Sequence, residues 1–422
     1  MPRLALLGGE PLRRKPLGRW PLIGDEEVGA VERVLRRGKL CATMYSSEEV
    51  AKFEEEFAAV VGVKRAVAVS SGTAALDVVL RAIGVRLGDE VITTPYTFIA
   101  TATSILHNHG VPVFADVEPA TRNIDPREIE RRITERTKAI VVVHFAGHPA
   151  EMDEIMEIAE RHGLYVIEDA AHAHLAEYKG RMAGSLGHAA IFSFQESKNM
   201  TAGEGGIITT DDEELAEQCA SLREHGRRRD RPWYYHEVLG WNYRMTEIQA
   251  AILRVQLRRL PKLTEERRRN ARYLSKVLEE FEFLSPPRVA PYVKHAYHLY
   301  PLDYQPSVLG IDKHTLARVL QAEGIPLSEG YCWPIYENPI FSDPSRMPEV
   351  PFKVLGREVR YGRGLCPVAE KLCYETGMWL PGYVLNAPRD ELDDVVRALE
   401  KVNRCREELA EASRLLASQH SP

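Results

Sequence analysis

A chain of 422 residues is too long for one ordinary domain; at roughly 150 residues per domain it predicts two or three. With 44% hydrophobic and 27% charged residues it has the composition of a soluble globular protein. A net charge of −6 gives no electrostatic reason to bind nucleic acid or an anionic membrane.

The six cysteines are scattered, with no C-x-x-C pair and no zinc-like spacing, so reduced thiols in a reducing compartment are expected. The apolar run Leu4-Ala-Leu-Leu7 is too short for a secretory signal, and no stretch approaches the roughly 20 apolar residues of a membrane span. Both points favour a cytoplasmic protein.

Residues 1–24, rich in Pro, Gly and Arg, are expected to lie over the surface as an arm. Asp25 can cap a first helix with Val28, Val31, Val34 and Leu35 on one face, and Val50, Phe53, Phe57 and Val60 mark a second. Short apolar strands then alternate with amphipathic helices. The strands are residues 66–69, 90–94, 111–115, 139–143, 164–168, 189–194 and 207–210; the helices between them are 74–83, 99–107, 129–136 and 152–162. This alternation predicts a parallel sheet covered on both faces, within a large α/β domain at 25–262. A helix over Thr246–Leu260 should stop at Pro261, and another, from Leu263 to Glu280, should lead out of that domain. Beyond Pro286-Pro287 a strand at Tyr297–Leu302 and helices at His314–Glu323 and Asp390–Leu416 predict a smaller α+β domain, giving 263–422 as the second unit.

Open α/β sheets bind ligands at the carboxyl ends of their strands. After the first strand, Ser70-Ser-Gly-Thr73 leads into a helix, and small residues there suit a phosphate at the helix N-terminus or an ordinary N-cap. After the second, Pro95-Tyr-Thr-Phe98 offers an aromatic that could stack on a flat ring or fill the core. Glu168 and Asp169 end another strand, and a buried acid there needs a cationic partner such as a protonated pyridine nitrogen. A metal held by Asp169, His172 and His174 is the competing account, although the spacing matches no dedicated zinc pattern. The strand 189–194 delivers Lys198, with Ser193 five residues earlier. Desolvation lowers a lysine's pKa, as a Schiff-base nucleophile requires. A phosphate cradle, an aromatic plate, an anion and a lysine are together the contacts that pyridoxal 5'-phosphate requires.

The chain resembles the fold-type I pyridoxal-phosphate aminotransferases, and within them the DegT/StrS-type sugar aminotransferases. The likeness is carried by Ser71-Gly-Thr-Ala-Ala-Leu76, Thr94-Pro-Tyr-Thr-Phe-Ile-Ala-Thr101, Pro112-Val-Phe-Ala-Asp-Val117, Ile167-Glu-Asp-Ala-Ala-His-Ala173, Ser193-Phe-Gln-Glu-Ser-Lys-Asn199, Gly203-Glu-Gly-Gly206 and Gly240-Trp-Asn-Tyr-Arg-Met245. It implies a large domain with a mostly parallel seven-stranded sheet flanked by helices, plus a smaller C-terminal α+β domain. It further implies that Lys198 is the Schiff-base lysine and that Asp169 pairs with the pyridine nitrogen. Gly72, Thr73 and Ser193 would hold the phosphate, and Phe98 would lie against the ring. Asn242 resembles an asparagine that reaches the phosphate from the neighbouring subunit, which implies a homodimer with shared sites. His172 stands where the family often has glutamine and would contact the cofactor's 3' oxygen; Leu175 replaces a common glycine.

Some relatives carry histidine at the lysine position and dehydrate their substrate, and Lys198 argues against that branch. The segments 193–198, 330–341 and 365–370 look most like the branch that includes glutamine:scyllo-inosose aminotransferase and 3-amino-5-hydroxybenzoate synthase. The expected partners are therefore an amino donor, glutamine or glutamate, and a keto-cyclitol, with His298, Tyr331, Trp333 and Tyr336 as candidates for holding the polyol. Arg227–Arg229 could meet a donor carboxylate or a nucleotide phosphate. A nucleotide-linked keto-sugar acceptor, and a non-catalytic cofactor-binding regulator, are the alternatives. No strand is followed by G-x-G-x-x-G, which argues against a dinucleotide oxidoreductase.

Overall fold

The computed structural model describes residues 3–43, 46–346, 359 and 361–419. Its centre is a sheet of seven strands: β1 (Arg65–Val69), β2 (Glu90–Thr93), β3 (Val111–Phe114), β4 (Thr137–Val143), β5 (Tyr165–Asp169), β6 (Ala189–Ser193) and β7 (Gly206–Thr210). Their spatial order is β1-β7-β6-β5-β4-β2-β3. β7 runs antiparallel to both neighbours, and the remaining pairs are parallel. Helices α1 (Asp25–Arg37), α2 (Glu49–Val61), α3 (Gly72–Ala82), α4 (Ala100–His107), α5 (Pro126–Arg132), α6 (Met152–His162), α7 (Glu213–Leu222) and α8 (Glu247–Leu278) surround it. Gly24, not Asp25, caps α1; its N–H bonds to the Glu27 carboxylate at 2.9 Å.

Every residue of β6 and β7 is buried. Such strands read as unbroken apolar runs because both faces are covered and no side meets solvent. Alternation still assigns the faces. Ile191, Val141 and Ile167 pack with α3 and α7 on one side. Phe192 packs with Phe57 of α2 and Leu257 of α8 on the other, where Val142 and Val166 also meet α6.

The smaller unit is built on an antiparallel sheet of β8 (Leu284–Ser285), β9 (Leu299–Tyr304) and β10 (Gly377–Pro381), in that order. Helices Lys313–Ala322, Arg389–Arg404 and Leu409–Gln419 pack on it. The helix expected over 390–416 is therefore two, parted at Cys405. The break expected at Pro261 is absent: α8 runs unbroken for 32 residues. Proline removes one helical hydrogen bond, but Pro261 is exposed, so water can serve the freed carbonyl. Apolar packing holds both halves, through Leu253 and Leu257 on the large domain and Leu274 and Leu278 on the small one.

The N-terminal arm is likewise no surface strap. Leu4 and Leu17 are buried in the small-domain core. The Glu323 carboxylate, itself fully buried, accepts the N–H groups of Ala5 (2.8 Å) and Leu12 (3.0 Å) and pairs with Lys401 at 2.8 Å. Glu323→Ala strands the buried Lys401 ammonium and frees two backbone donors. It is expected to cost about 3–5 kcal/mol in denaturant unfolding. A loss below 1 kcal/mol would show the arm to be dispensable for stability. No helix among the described residues is long and apolar enough to cross a membrane.

Candidate active site

The ends of β1, β2, β5 and β6 open on one cavity of about 480 Å³, closed from the small-domain side by His298, Leu299, Tyr331 and Trp379. Of the residues singled out from the sequence, Gly72, Thr73, Phe98, Asp169, His172, Ser193, Lys198, His298 and Tyr331 line it. β1 and β2 lie on opposite sides of β5 and β6, so the chain between them must cross the sheet. That crossing packs α3 on β6 and β7 and brings its N-terminus against Ser193.

Ser71 caps α3 by accepting the Ala74 N–H at 3.1 Å. The N–H groups of Gly72 and Thr73 have no acceptor among the described residues. They are the free donors of a helix N-terminus. A Cβ on Gly72 would stand 2.8 Å from Ser193 Cβ, so only glycine lets the serine close the other wall of this cradle. Both readings of Ser70–Thr73 hold at once: the cap uses Ser71 and leaves the next two amides free.

Asp169 ends β5 with its side chain on the α3 and α4 side. Its Oδ2 accepts from Thr101 Oγ1 at 2.9 Å and its Oδ1 from the Ala171 N–H at 3.2 Å. Burial raises its pKa; the two donors and the Lys198 ammonium oppose that shift. A cation at this spot would oppose it further. Glu168, one residue earlier, faces the other side of the sheet. It accepts the N–H groups of Gly184, Leu186 and Gly187 and lies 2.9 Å from His144 Nε2. Two adjacent acids thus have separate duties: one carboxylate is consumed by a loop, the other faces the cavity.

Lys198 is half-buried on the cavity wall, and its Nζ has no hydrogen-bond partner among the described residues. Burial pulls its pKa down to about 8, against the pull of Asp169 in the other direction. His172 Nδ1 accepts the Ala146 N–H at 3.3 Å, which places the proton on Nε2. Its ring lies against that of His298, with centroids 4.1 Å apart. Burial holds both rings neutral, their pKa values well below the usual range. His298 is brought there by a hydrogen bond across the domains, from its N–H to the Ala146 carbonyl at 2.8 Å. Asp169, His172 and His174 engage different neighbours, with His174 enclosed by Phe192 and Phe194, so they do not converge as a metal's ligands would.

Several residues stand elsewhere. Trp333 is exposed and donates to Asn338 Oδ1. Tyr336 is fully buried, donates to Glu370 Oε1 and packs on Phe114. Neither lines the cavity, because the turn at Ile335–Glu337 directs the chain into the core after Tyr331. Phe98 is at the rim and 63% exposed, so it does not lie over the floor of this cavity unaided. Asn242 is exposed and its backbone pairs with Glu224, outside its own cavity. Arg227 is paired with Glu224 at 2.6 Å, and Arg228 with Asp230 at 3.3 Å. Thr101 and Trp379 were not singled out. Thr101 follows Thr97 by four residues, a spacing visible in the sequence, and in the fold the two hydroxyls are 3.2 Å apart. Trp379 sits on β10 and has none.

The sequence profile of the DegT/DnrJ/EryC1/StrS aminotransferase family matches residues 21–400. The spore coat polysaccharide biosynthesis protein SpsC of Bacillus subtilis is 38% identical over 90% of this chain and 95% of its own. The putative L-glutamine:3-amino-2,3-dideoxy-scyllo-inosose aminotransferase of Streptoalloteichus tenebrarius is 36% identical over 95% of this chain and 98% of its own. The crystal structure of 3-amino-5-hydroxybenzoic acid synthase superposes with a TM-score of 0.83 at 31% identity, over 94% of this chain and all of that one. With a family profile spanning most of its length and these relatives at such coverage, the chain belongs to the DegT/DnrJ/EryC1/StrS family of pyridoxal-phosphate-dependent aminotransferases.

Proposed function

We propose that this enzyme moves an amino group from glutamine or glutamate to a keto-cyclitol such as scyllo-inosose, in two successive half-reactions at one site. The observation that carries the reading is the convergence of Lys198, Asp169 and the free amides of Gly72 and Thr73 on one cavity. These residues fit pyridoxal 5'-phosphate: the cradle at Gly72, Thr73 and Ser193 would take its phosphate, and Asp169 the protonated ring nitrogen. His172, whose Nε2 carries the proton, would donate to the ring oxygen. When bound, the cofactor supplies an electron sink. The remaining work belongs to the chain. Lys198 would hold the cofactor until the donor displaces it and then, as a neutral amine, would take the proton from the donor's Cα. It would hand that proton to the cofactor's C4' carbon within the same half-reaction, and in the second half-reaction it would carry a proton the other way, from that carbon to the acceptor carbon. Asp169, held by Thr101, would keep the ring nitrogen charged throughout.

A neutral polyol is favoured over a nucleotide diphosphate because Lys198 is the one lysine or arginine among the described residues lining the cavity. Steady-state assays with scyllo-inosose against dTDP- and UDP-4-keto-sugars test this. A higher kcat/KM for a nucleotide-linked acceptor would reverse the assignment. A second copy of the chain is proposed to complete the site with Asn242. That residue follows a segment whose Trp233, Tyr234, Tyr235, Val238 and Leu239 are all exposed, the apolar character of an interface.

The lowered pKa of Lys198 predicts a pH profile. A lysine must be neutral to attack, and with a value of about 8 about a quarter of it is neutral at pH 7.5. Capture of pyridoxal phosphate by the cofactor-free protein should therefore accelerate as pH rises through about 8 and level off above it. A rate still climbing toward pH 10 would show an ordinary exposed amine.

A further inference from the structure

The loop that presents Lys198 is closed internally by Ser197 Oγ and the Ser197 N–H on Gln195 Oε1, and by the Lys198 N–H on the Gln195 carbonyl at 2.9 Å. Beyond Lys198, Asn199 Nδ2 donates to the Ala296 carbonyl at 3.0 Å, which ties that side to the small domain. On the other side the Gln195 N–H reaches Ser193 Oγ at 3.4 Å, and among the described residues, residues 195–198 accept one hydrogen bond from outside the loop. It comes from the N-terminal arm: Trp20 Nε1 donates to the Glu196 carbonyl at 2.6 Å.

The donor is itself anchored. The Arg267 guanidinium lies over the Trp20 ring, 5.3 Å from its centroid. Arg267 is 1% exposed and has no carboxylate partner among the described residues. Its Nε donates to Asn386 Oδ1 at 2.6 Å, and Asn386 Nδ2 donates to the Leu263 carbonyl, so the guanidinium is fixed to α8 at both ends. A buried cation lacking an anion is costly, and the indole face is a partial compensation that a desolvated site strengthens. Gln256 Nε2 on the Leu22 carbonyl at 3.0 Å holds the next part of the arm to the same helix. Trp20 therefore joins three parts of the chain: the arm, the interdomain helix and the lysine loop.

We propose that Trp20 is a positioning residue, whose indole N–H, seated on Arg267, fixes the loop that presents Lys198 for proton transfer. The idea rests on Lys198 being the reactive lysine. Orientation of a reacting group is a rate effect, since misplacement lowers the fraction of near-attack geometries without altering ground-state contacts. Trp20 does not line the cavity where the donor would sit, so its loss should reach kcat and leave KM.

The test is Trp20→Phe, which keeps an aromatic face over Arg267 and deletes only the N–H, with Trp20→Ala alongside. For Trp20→Phe the single-turnover donor half-reaction should slow roughly three- to tenfold, with KM for glutamine and the thermal midpoint unchanged. Amide hydrogen exchange of residues 194–200, read on the protein without substrate, should quicken in the same variant. A half-reaction and an exchange rate both equal to wild type overturn the proposal. So does an effect confined to KM for the keto acceptor, which would make the arm a wall of the acceptor's compartment. A parallel loss of kcat, KM and thermal midpoint in both variants also overturns it, as plain destabilisation. Exchange is measured without any acceptor, so failure to aminate any keto-cyclitol would count against the proposed function and leave this test standing.

Discussion

Lys198→Ala is expected to abolish covalent capture of pyridoxal phosphate and to lower turnover by roughly 10⁴-fold or more, while the protein stays folded. Both the nucleophile and the proton carrier are lost in one substitution, and general acid–base catalysis alone contributes about 10²- to 10⁴-fold. The fold should tolerate it because Nζ has no hydrogen-bond partner among the described residues and sits on a cavity wall. No buried donor or acceptor is stranded. Borohydride treatment followed by peptide mapping reads the attachment, and circular dichroism reads the fold. Cofactor fixed by borohydride to the variant would move the nucleophile to another residue.

Asp169→Asn should lower kcat by about 10²- to 10³-fold with a small change in KM for the donor, because the lost charge acts where charge develops in the reaction. The amide oxygen can keep the Ala171 N–H, and the new NH2 can donate to the Thr101 hydroxyl, which accepts as well as donates, so the geometry of the β5 end is kept. What disappears is the anion that makes a protonated ring nitrogen favourable in a buried place. A kcat near wild type would mean that another group carries this role. Glu168→Gln is the informative control. That carboxylate binds three backbone amides on the opposite face, so its loss should appear in stability, not in the chemical step.

The sheet and the cofactor side of the site were legible along the chain for a common reason. A strand covered on both faces must be apolar throughout, so its end is marked by the first polar or small residue. In a parallel sheet those ends gather on one edge. Ser71–Thr73, Asp169 and Ser193–Lys198 are each found this way, and all reach one cavity. The same rule does not say which of two neighbouring acids faces the cavity; strand alternation and the Gly184–Gly187 loop decide that for Asp169 and Glu168.

What local pattern could not supply are contacts between residues hundreds of positions apart. Tyr331 and Tyr336 share composition and neighbourhood in the sequence, yet one lines the cavity and the other donates to Glu370 in the core. Pro261 is a helix breaker by its own chemistry, and it is overruled because α8 is packed at both ends. The arm reads as polar surface, but Leu4 and Leu17 are core residues and Trp20 reaches the lysine loop. By itself the sequence determined the strands, their ends and the lysine, because burial and turn formation act within a few residues. The tertiary structure alone decided what surrounds Lys198. Small-domain residues close the cavity, and the arm, seated on α8, holds the lysine loop from outside it; only their packing brings them within reach of one another.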